Sequence, residues 1–109
     1  MEIVDRLRNN RHGILSLTIR DVSVLYSAYM SFIENGGLFI PTDKAYQIGD
    51  EIFALISLLD EAEKIPIAGT VIWITPRNAH GKKAQGIGIQ FNDRENHAKP
   101  VIEKYLSSH

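Results

Sequence analysis

Four histidines are the most versatile chemical groups in this 109-residue chain, and their spacing decides what they can do. His12, His80, His97 and His109 are scattered, with no His-Glu-x-x-His run and no pair one helical turn apart. A metal centre needs two or three such ligands converging from one face, so these histidines read as solvated loop residues. The chain has no cysteine, which removes thiolate zinc sites, disulfides and cysteine nucleophiles. Ser16, Ser23, Ser27, Ser31 and Ser57 lack the Gly-x-Ser-x-Gly turn that exposes a serine nucleophile beside a base. Gly81-Lys82-Lys83 looks like the end of a phosphate loop, but Pro76 occupies its first glycine position and Lys83 replaces the Ser/Thr. Gly86 and Gly88 begin a dinucleotide pattern that fails at Phe91, where its third glycine belongs. Asp60, Glu61 and Glu63 sit together on a polar turn, where water prevents the pKa separation that acid–base pairs need. The expectation is a protein that is not an enzyme and holds no cofactor and no metal.

Charge and hydropathy narrow the partners. Twelve Lys+Arg against thirteen Asp+Glu leave a net charge of −1, which gives no steering toward nucleic acid. No segment reaches the ~18 consecutive apolar residues of a membrane helix. The first residues lack the apolar stretch of a signal peptide. A cytoplasmic protein without membrane insertion is expected. At 44% hydrophobic residues the chain supports one real core.

What remains is apolar material near turns. Phe32 and Ile33 precede the Glu34-Asn35-Gly36-Gly37 turn, Trp73 lies near Pro76, and Tyr26 and Tyr29 fall on one helical face. If Ile72 and Ile74 point inward, Trp73 faces out. An exposed patch of Tyr26, Phe32, Trp73 and Pro76 on a near-neutral domain reads as a protein-binding surface.

The elements that must position this patch follow from periodicity. Residues 1–13 are expected to form a flexible lead and 14–109 one folded domain. Leu15, Leu17 and Ile19 alternate as in a half-buried strand. From Asp21, an N-cap candidate, Val22, Leu25, Tyr26, Tyr29 and Met30 follow a helical spacing. Leu38-Phe39-Ile40 makes a short strand ended by Pro41. Residues 51–59 are apolar on both parities, which suggests a strand covered on both faces. A charged turn leads into a strand over 65–75, the two forming a hairpin with a solvated tip. Gln85 to Phe91 alternates again, with Gly86 and Gly88 allowing curvature or close approach. Val101, Ile102, Tyr105 and Leu106 share one face of a terminal helix, which Pro100 requires to start near residue 96 or 97. Asp93 and Asn96 are its capping candidates. The pattern predicts a mainly β fold: a small antiparallel β-barrel of five to six strands, a short helix after the first strand and a C-terminal helix.

Three separated stretches resemble the PilZ domain: Glu34-Asn35-Gly36-Gly37-Leu38-Phe39-Ile40-Pro41-Thr42, Ile67-Ala68-Gly69-Thr70-Val71-Ile72-Trp73, and Gly86-Ile87-Gly88-Ile89-Gln90-Phe91. Their order and spacing agree, and the resemblance runs from about Ile14 to Leu106. Leu15 to Ile19, Leu25 to Met30 and Lys64 to Gly69 resemble the short, single-domain branch of that family that serves type IV pilus assembly. The family is best known for binding cyclic di-GMP through an Arg-x-x-x-Arg segment in the lead and an (Asp/Asn)-x-Ser-x-x-Gly segment at the second strand. Here no two arginines stand four apart: Arg6 leads to Asn10, Arg8 to His12 and Arg11 to Leu15. Setting the last glycine on Gly37 places Phe32 at the Asp/Asn position and Glu34 at the Ser position. A second start at Asp21 and Ser23 meets Tyr26 where glycine is required. The resemblance therefore implies a non-catalytic adaptor in pilus biogenesis and twitching motility. Its implied partners are the pilus-extension ATPase and a degenerate EAL-domain protein that senses cyclic di-GMP. The alternative is a cyclic di-GMP receptor that uses Arg6, Arg8 and Arg11.

Overall fold

The computed structural model describes residues 14–76 and 85–107. The elements in chain order are β1 (Ile14–Ile19), α1 (Val22–Ala28), β2 (Tyr29–Met30), β3 (Gly37–Pro41), β4 (Glu51–Leu58), β5 (Ile65–Thr75), β6 (Gly86–Phe91) and α2 (Ala98–Ser107). The lead with Arg6, Arg8 and Arg11 lies outside the described residues, as do His12, His80 and His109.

All six strands join one sheet in the order β1-β4-β5-β6-β3-β2. The chain is mainly β, as expected, but the sheet is mixed. β1 runs parallel to β4, with Ile14 aligned on Phe53 and Ile19 on Leu58. The other four pairings are antiparallel. Alternation along a strand says which face is buried and nothing about direction. Here the crossover through α1, β2 and β3 returns the chain parallel. The sheet does not close, because β1 and β2 end it on opposite sides. The short helix α1 nevertheless touches both β1 and β3, so the sheet curls until its two ends approach one helix.

The concave face holds the core. Leu15 and Ile19 of β1, Ile52, Ala54, Ile56 and Leu58 of β4, and Ile87, Ile89 and Phe91 of β6 are buried there. Leu25 from α1 and Ile102 from α2 plug it and are almost wholly buried. β4 departs from the two-sided reading: Glu51 and Phe53 are exposed while the even positions are buried, so it has one core face.

Asp21 caps α1 as its sequence position suggested, its carboxylate accepting from the Ser23 amide at 2.8 Å. The Ser23 hydroxyl, which donates to the same carboxylate oxygen at 2.8 Å, and then the amide hold the Asp21 pKa below the usual carboxylate range. The helix is shorter than the apolar spacing implied. Tyr29 is already extended (φ −78°, ψ 131°), and Tyr29 and Met30 pair with Leu38 and Gly37. Ladder hydrogen bonds to β3 override the continued helical pattern there. At the other end, the Asn96 side chain accepts from the Lys99 amide at 2.7 Å, and Pro100 falls in the first turn of α2. The hairpin tip is solvated at Asp60, Ala62, Glu63 and Lys64, as expected, while Glu61 turns back: it accepts from the Tyr105 hydroxyl at 2.8 Å and lies 3.5 Å from the Lys104 ammonium. That contact ties α2 to the β4–β5 turn.

Candidate functional site

The register of β5 against β6 determines where Trp73 points. Up to Val71 the odd positions Ile65, Ile67, Gly69 and Val71 face the core. A β-bulge intervenes: Val71 pairs with Ile89 and Trp73 with the adjacent Gly88, leaving Ile72 as the extra residue. Paired residues share a face. Trp73 therefore lies on the convex face with Gly88, although its parity matches that of core residue Val71. Ile72 and Ile74 do not both point inward as expected. Ile72 lines the convex-face groove, and Ile74 shares the face of Ile87 yet stays partly exposed. Trp73 is 54% exposed because of the bulge, not because of simple alternation.

Gly88 also pairs with Phe39 on β3, so two aromatic rings flank one glycine across three neighbouring strands. A Cβ on Gly88 would stand 2.9 Å from the Trp73 Cβ and 3.4 Å from the Met30 methyl. A Cβ on Gly86 would fall 2.6 Å from the Phe39 ring and 2.5 Å from the Ile40 carbonyl. The two glycines form a bare floor over which Phe39, Trp73 and Met30 lie. The resulting open groove has a volume of about 540 Å³, and Phe32 and Ile33 line its other side.

The turn after β2 holds Phe32 in place. Asn35 and Gly36 both adopt positive φ (69° and 86°), a conformation Asn and Gly accept most readily. The Asn35 side-chain amide donates to the Phe91 carbonyl at 3.2 Å, and the Gln90 side chain donates to the Glu34 carbonyl at 3.0 Å. Both bonds anchor the turn to β6. Phe32, at 81% exposure, stands clear of the surface.

Among the described residues, no ionisable side chain lines this groove. The one polar atom of the Trp73 ring, Nε1, donates to Thr75 Oγ1 at 2.7 Å, so the indole presents hydrocarbon outward. Among the described residues, such a surface is hydrocarbon apart from the Ser27 and Thr75 hydroxyls. It can bury apolar side chains of another molecule.

The expected four-residue patch is therefore split. Phe32 and Trp73 share the groove. Pro76 is exposed one residue beyond β5 and does not line it. Tyr26, 74% exposed, lines a separate cleft on the far side of α1 with Tyr29 and Glu103. There the Tyr29 hydroxyl donates to Glu103 Oε2 at 2.8 Å. Burial, and then this bond to a carboxylate, push the Tyr29 pKa well above the usual phenol range. Met30, Phe39 and Ile72 were not foreseen as groove residues. The alternating Gly86 and Gly88 were the available sign, since bare positions on one strand face invite large neighbours to lie across them.

The family model described as the PilZ domain matches residues 8–108, nearly the whole chain. No curated protein matches the sequence.

Proposed function

The chain belongs to the PilZ domain family, and on that premise we propose that it is a protein-interaction adaptor in type IV pilus biogenesis and twitching motility. PilZ domains are generally non-catalytic binding modules of cyclic di-GMP signalling, acting as dinucleotide receptors or as adaptors. The adaptor reading places this protein in the cytoplasm, between the pilus-extension ATPase and a degenerate EAL-domain sensor.

One observation carries the reading. At Phe32 and Glu34, where a dinucleotide-binding member has Asp/Asn and Ser, this chain has an 81%-exposed phenylalanine and a carboxylate. A carboxylate there repels a dianionic ligand and supplies no hydroxyl donor. The phenylalanine instead joins Trp73 over the glycine floor as a paired aromatic anchor, the residue type that dominates protein interfaces.

The receptor reading survives on a different observation: Arg6, Arg8 and Arg11 concentrate three guanidinium groups within six residues of the lead. The test separates the two. Titrate the full chain calorimetrically with cyclic di-GMP, and measure binding of the purified pilus-extension ATPase and EAL-domain protein to the parent, Trp73→Ala and Phe32→Ala. The adaptor reading expects no dinucleotide heat and about a thirtyfold loss of partner affinity, roughly 2 kcal/mol, in either variant. Micromolar dinucleotide binding abolished by replacing the three arginines would support the receptor reading instead.

A further inference from the structure

The opposite end of the sheet from β2 carries a second feature, unrelated to the groove. Among the described residues β1 is the outermost strand there, six residues long, and Ile14-Leu15-Ser16-Leu17-Thr18-Ile19 contains no charge, proline or glycine. Sheet edges are normally guarded by short strands, charged side chains, prolines or bulges. The other edge, β2, is guarded by being two residues long. β1 has none of these guards within its length.

The ladder shows which groups are left over. Ile19 aligns with Leu58, and its carbonyl accepts from the Leu59 amide at 2.8 Å. In a parallel pair, a residue bonded in this way sends both its amide and its carbonyl to the neighbour, and the next residue sends both away. Leu15, Leu17 and Ile19 therefore bond to β4, while Ile14, Ser16 and Thr18 direct their backbone groups outward. Among the described residues, no turn, loop or side-chain hydrogen bond reaches those outward groups. Ser16 and Thr18 are exposed.

We propose that this edge pairs antiparallel with β1 of a second copy of the chain about a two-fold axis at Leu17, joining two sheets into one. Two requirements restrict the register. Outward backbone groups must meet outward groups, and concave face must continue into concave face. Both hold when Ser16 of each copy opposes Thr18 of the other. That register also sets Leu15 against Ile19 and Leu17 against itself on the concave face, so each core row continues across the axis. On the convex face Ser and Thr hydroxyls meet at hydrogen-bonded positions, a favourable cross-strand pair. Arg20 opposes Ile14 and not its own copy, so no like charges face each other. Because the paired segment is short, the dimer is expected to be weak and concentration-dependent.

The experiment is sedimentation equilibrium of the full chain over a concentration series extending to the millimolar range. Thr18→Pro removes an outward amide and no ladder bond to β4, so it blocks the edge while sparing the fold. The expected result is a parent mass rising from 12.3 kDa toward twice that value, with Thr18→Pro staying monomeric and melting like the parent. Ser16→Lys, which leaves the backbone untouched, should weaken association by about tenfold or more, and it decides the matter if the proline variant does not fold. A parent that stays monomeric throughout overturns the proposal, as does a dimer that both variants leave intact. A monomeric parent whose edge captures a strand of another protein, lost in Thr18→Pro, also overturns it by giving the edge to a different partner.

Discussion

Ile72 divides the convex side of β5 into two apolar surfaces built in different ways. Before the bulge, Pro66 and Ala68 lie beside Phe53 and Leu55 of β4 and Ile14 of β1, each placed by ordinary alternation. After it, Trp73 and Thr75 lie beside Gly88 and Gly86, with Phe39 and Met30 beyond. The first surface has side chains at every position and frames an open recess of about 470 Å³. The second alternates large rings with missing side chains and makes a groove. Ordinary alternation leaves a recess of aliphatic chains around one phenyl ring, whereas a register shift of one residue, together with two glycines, builds a second recess around the Phe39 and Trp73 rings.

The sharpest way to test this division is to truncate one residue type on the two faces. Phe91 is fully buried on the concave face, while Phe32 is 81% exposed at the rim of the groove. Phe91→Ala should cost about 3–5 kcal/mol of folding stability, whereas Phe32→Ala should stay within about 0.5 kcal/mol of the parent. Urea unfolding of the two variants checks this, and comparable midpoint losses would mean that Phe32 belongs to the core.

A smaller effect is expected from filling the floor. Gly86→Val brings a branched side chain against the Ile40 carbonyl and the Phe39 ring, where even a Cβ stands 2.5 and 2.6 Å away. Backbone cannot yield as a flexible side chain does, so a loss of about 1–3 kcal/mol is expected. Gly49, with open space around its Cβ position, supplies the contrast. There Gly49→Asn should cost less, about 1 kcal/mol, because its φ of +95° strains any side chain, Asn least, while nothing stands against the new Cβ. Equal losses at both glycines would show that chain stiffening, and not the close approach of β3, sets the cost.

The bulge itself gives a third test. Deleting Ile72 makes Val71 and Trp73 consecutive against Ile89 and Gly88, which restores a regular ladder. Trp73 should then remain on the convex face with solvent-exposed fluorescence, at a cost of about 1 kcal/mol for the half-buried isoleucine. A blue-shifted, quencher-protected Trp73 in the deletion variant would mean that alternation, and not pairing with Gly88, sets its direction.

How much of this was legible in the sequence follows from which physical signal each feature leaves. The concave face of β1 and the capping of α1 were readable, because burial imposes a period of two on Leu15, Leu17 and Ile19 and Asp21 is a strong cap former. The parallel pairing of β1 was not, since strand direction leaves no mark on alternation. The outward position of Trp73 follows from parity on a wrong premise: a bulge adds a residue without changing composition, so parity carried through Ile72 misassigns Ile72, while Ile74 does share the face of Ile87. The end of α1 was missed because Tyr29 and Met30 satisfy a helical spacing while their backbones are claimed by β3. Tyr26 and Phe32 looked like one patch because sequence proximity hides that α1 stands between them.

The smallest effect concerns the cleft on the far side of α1, where Tyr29 joins α2 through Glu103. Burial first, and then the bond to Glu103, raise the Tyr29 pKa; burial and the Asp50 charge raise that of Tyr46; the bond to Glu61 leads the same shift at Tyr105. Unfolded phenols release their protons near pH 10, while these folded ones hold theirs. Above that pH the unfolded chain binds fewer protons than the folded one, so stability is full below about pH 10 and falls as pH rises beyond it. Tyr29→Phe removes one of the three contributions. At neutral pH it should lose about 0.5–1 kcal/mol, at the low end for a hydrogen bond because the site is partly open to water. Above pH 10 the variant should lose stability less steeply than the parent. Urea midpoints at pH 8 and pH 11 measure both slopes. Parallel slopes would mean that Tyr29 ionises freely in the folded state and that the Tyr29–Glu103 contact does not hold α2 against α1. The groove variants Phe32→Ala and Trp73→Ala should leave that slope unchanged, because among the described residues no titratable side chain lines the recess they occupy.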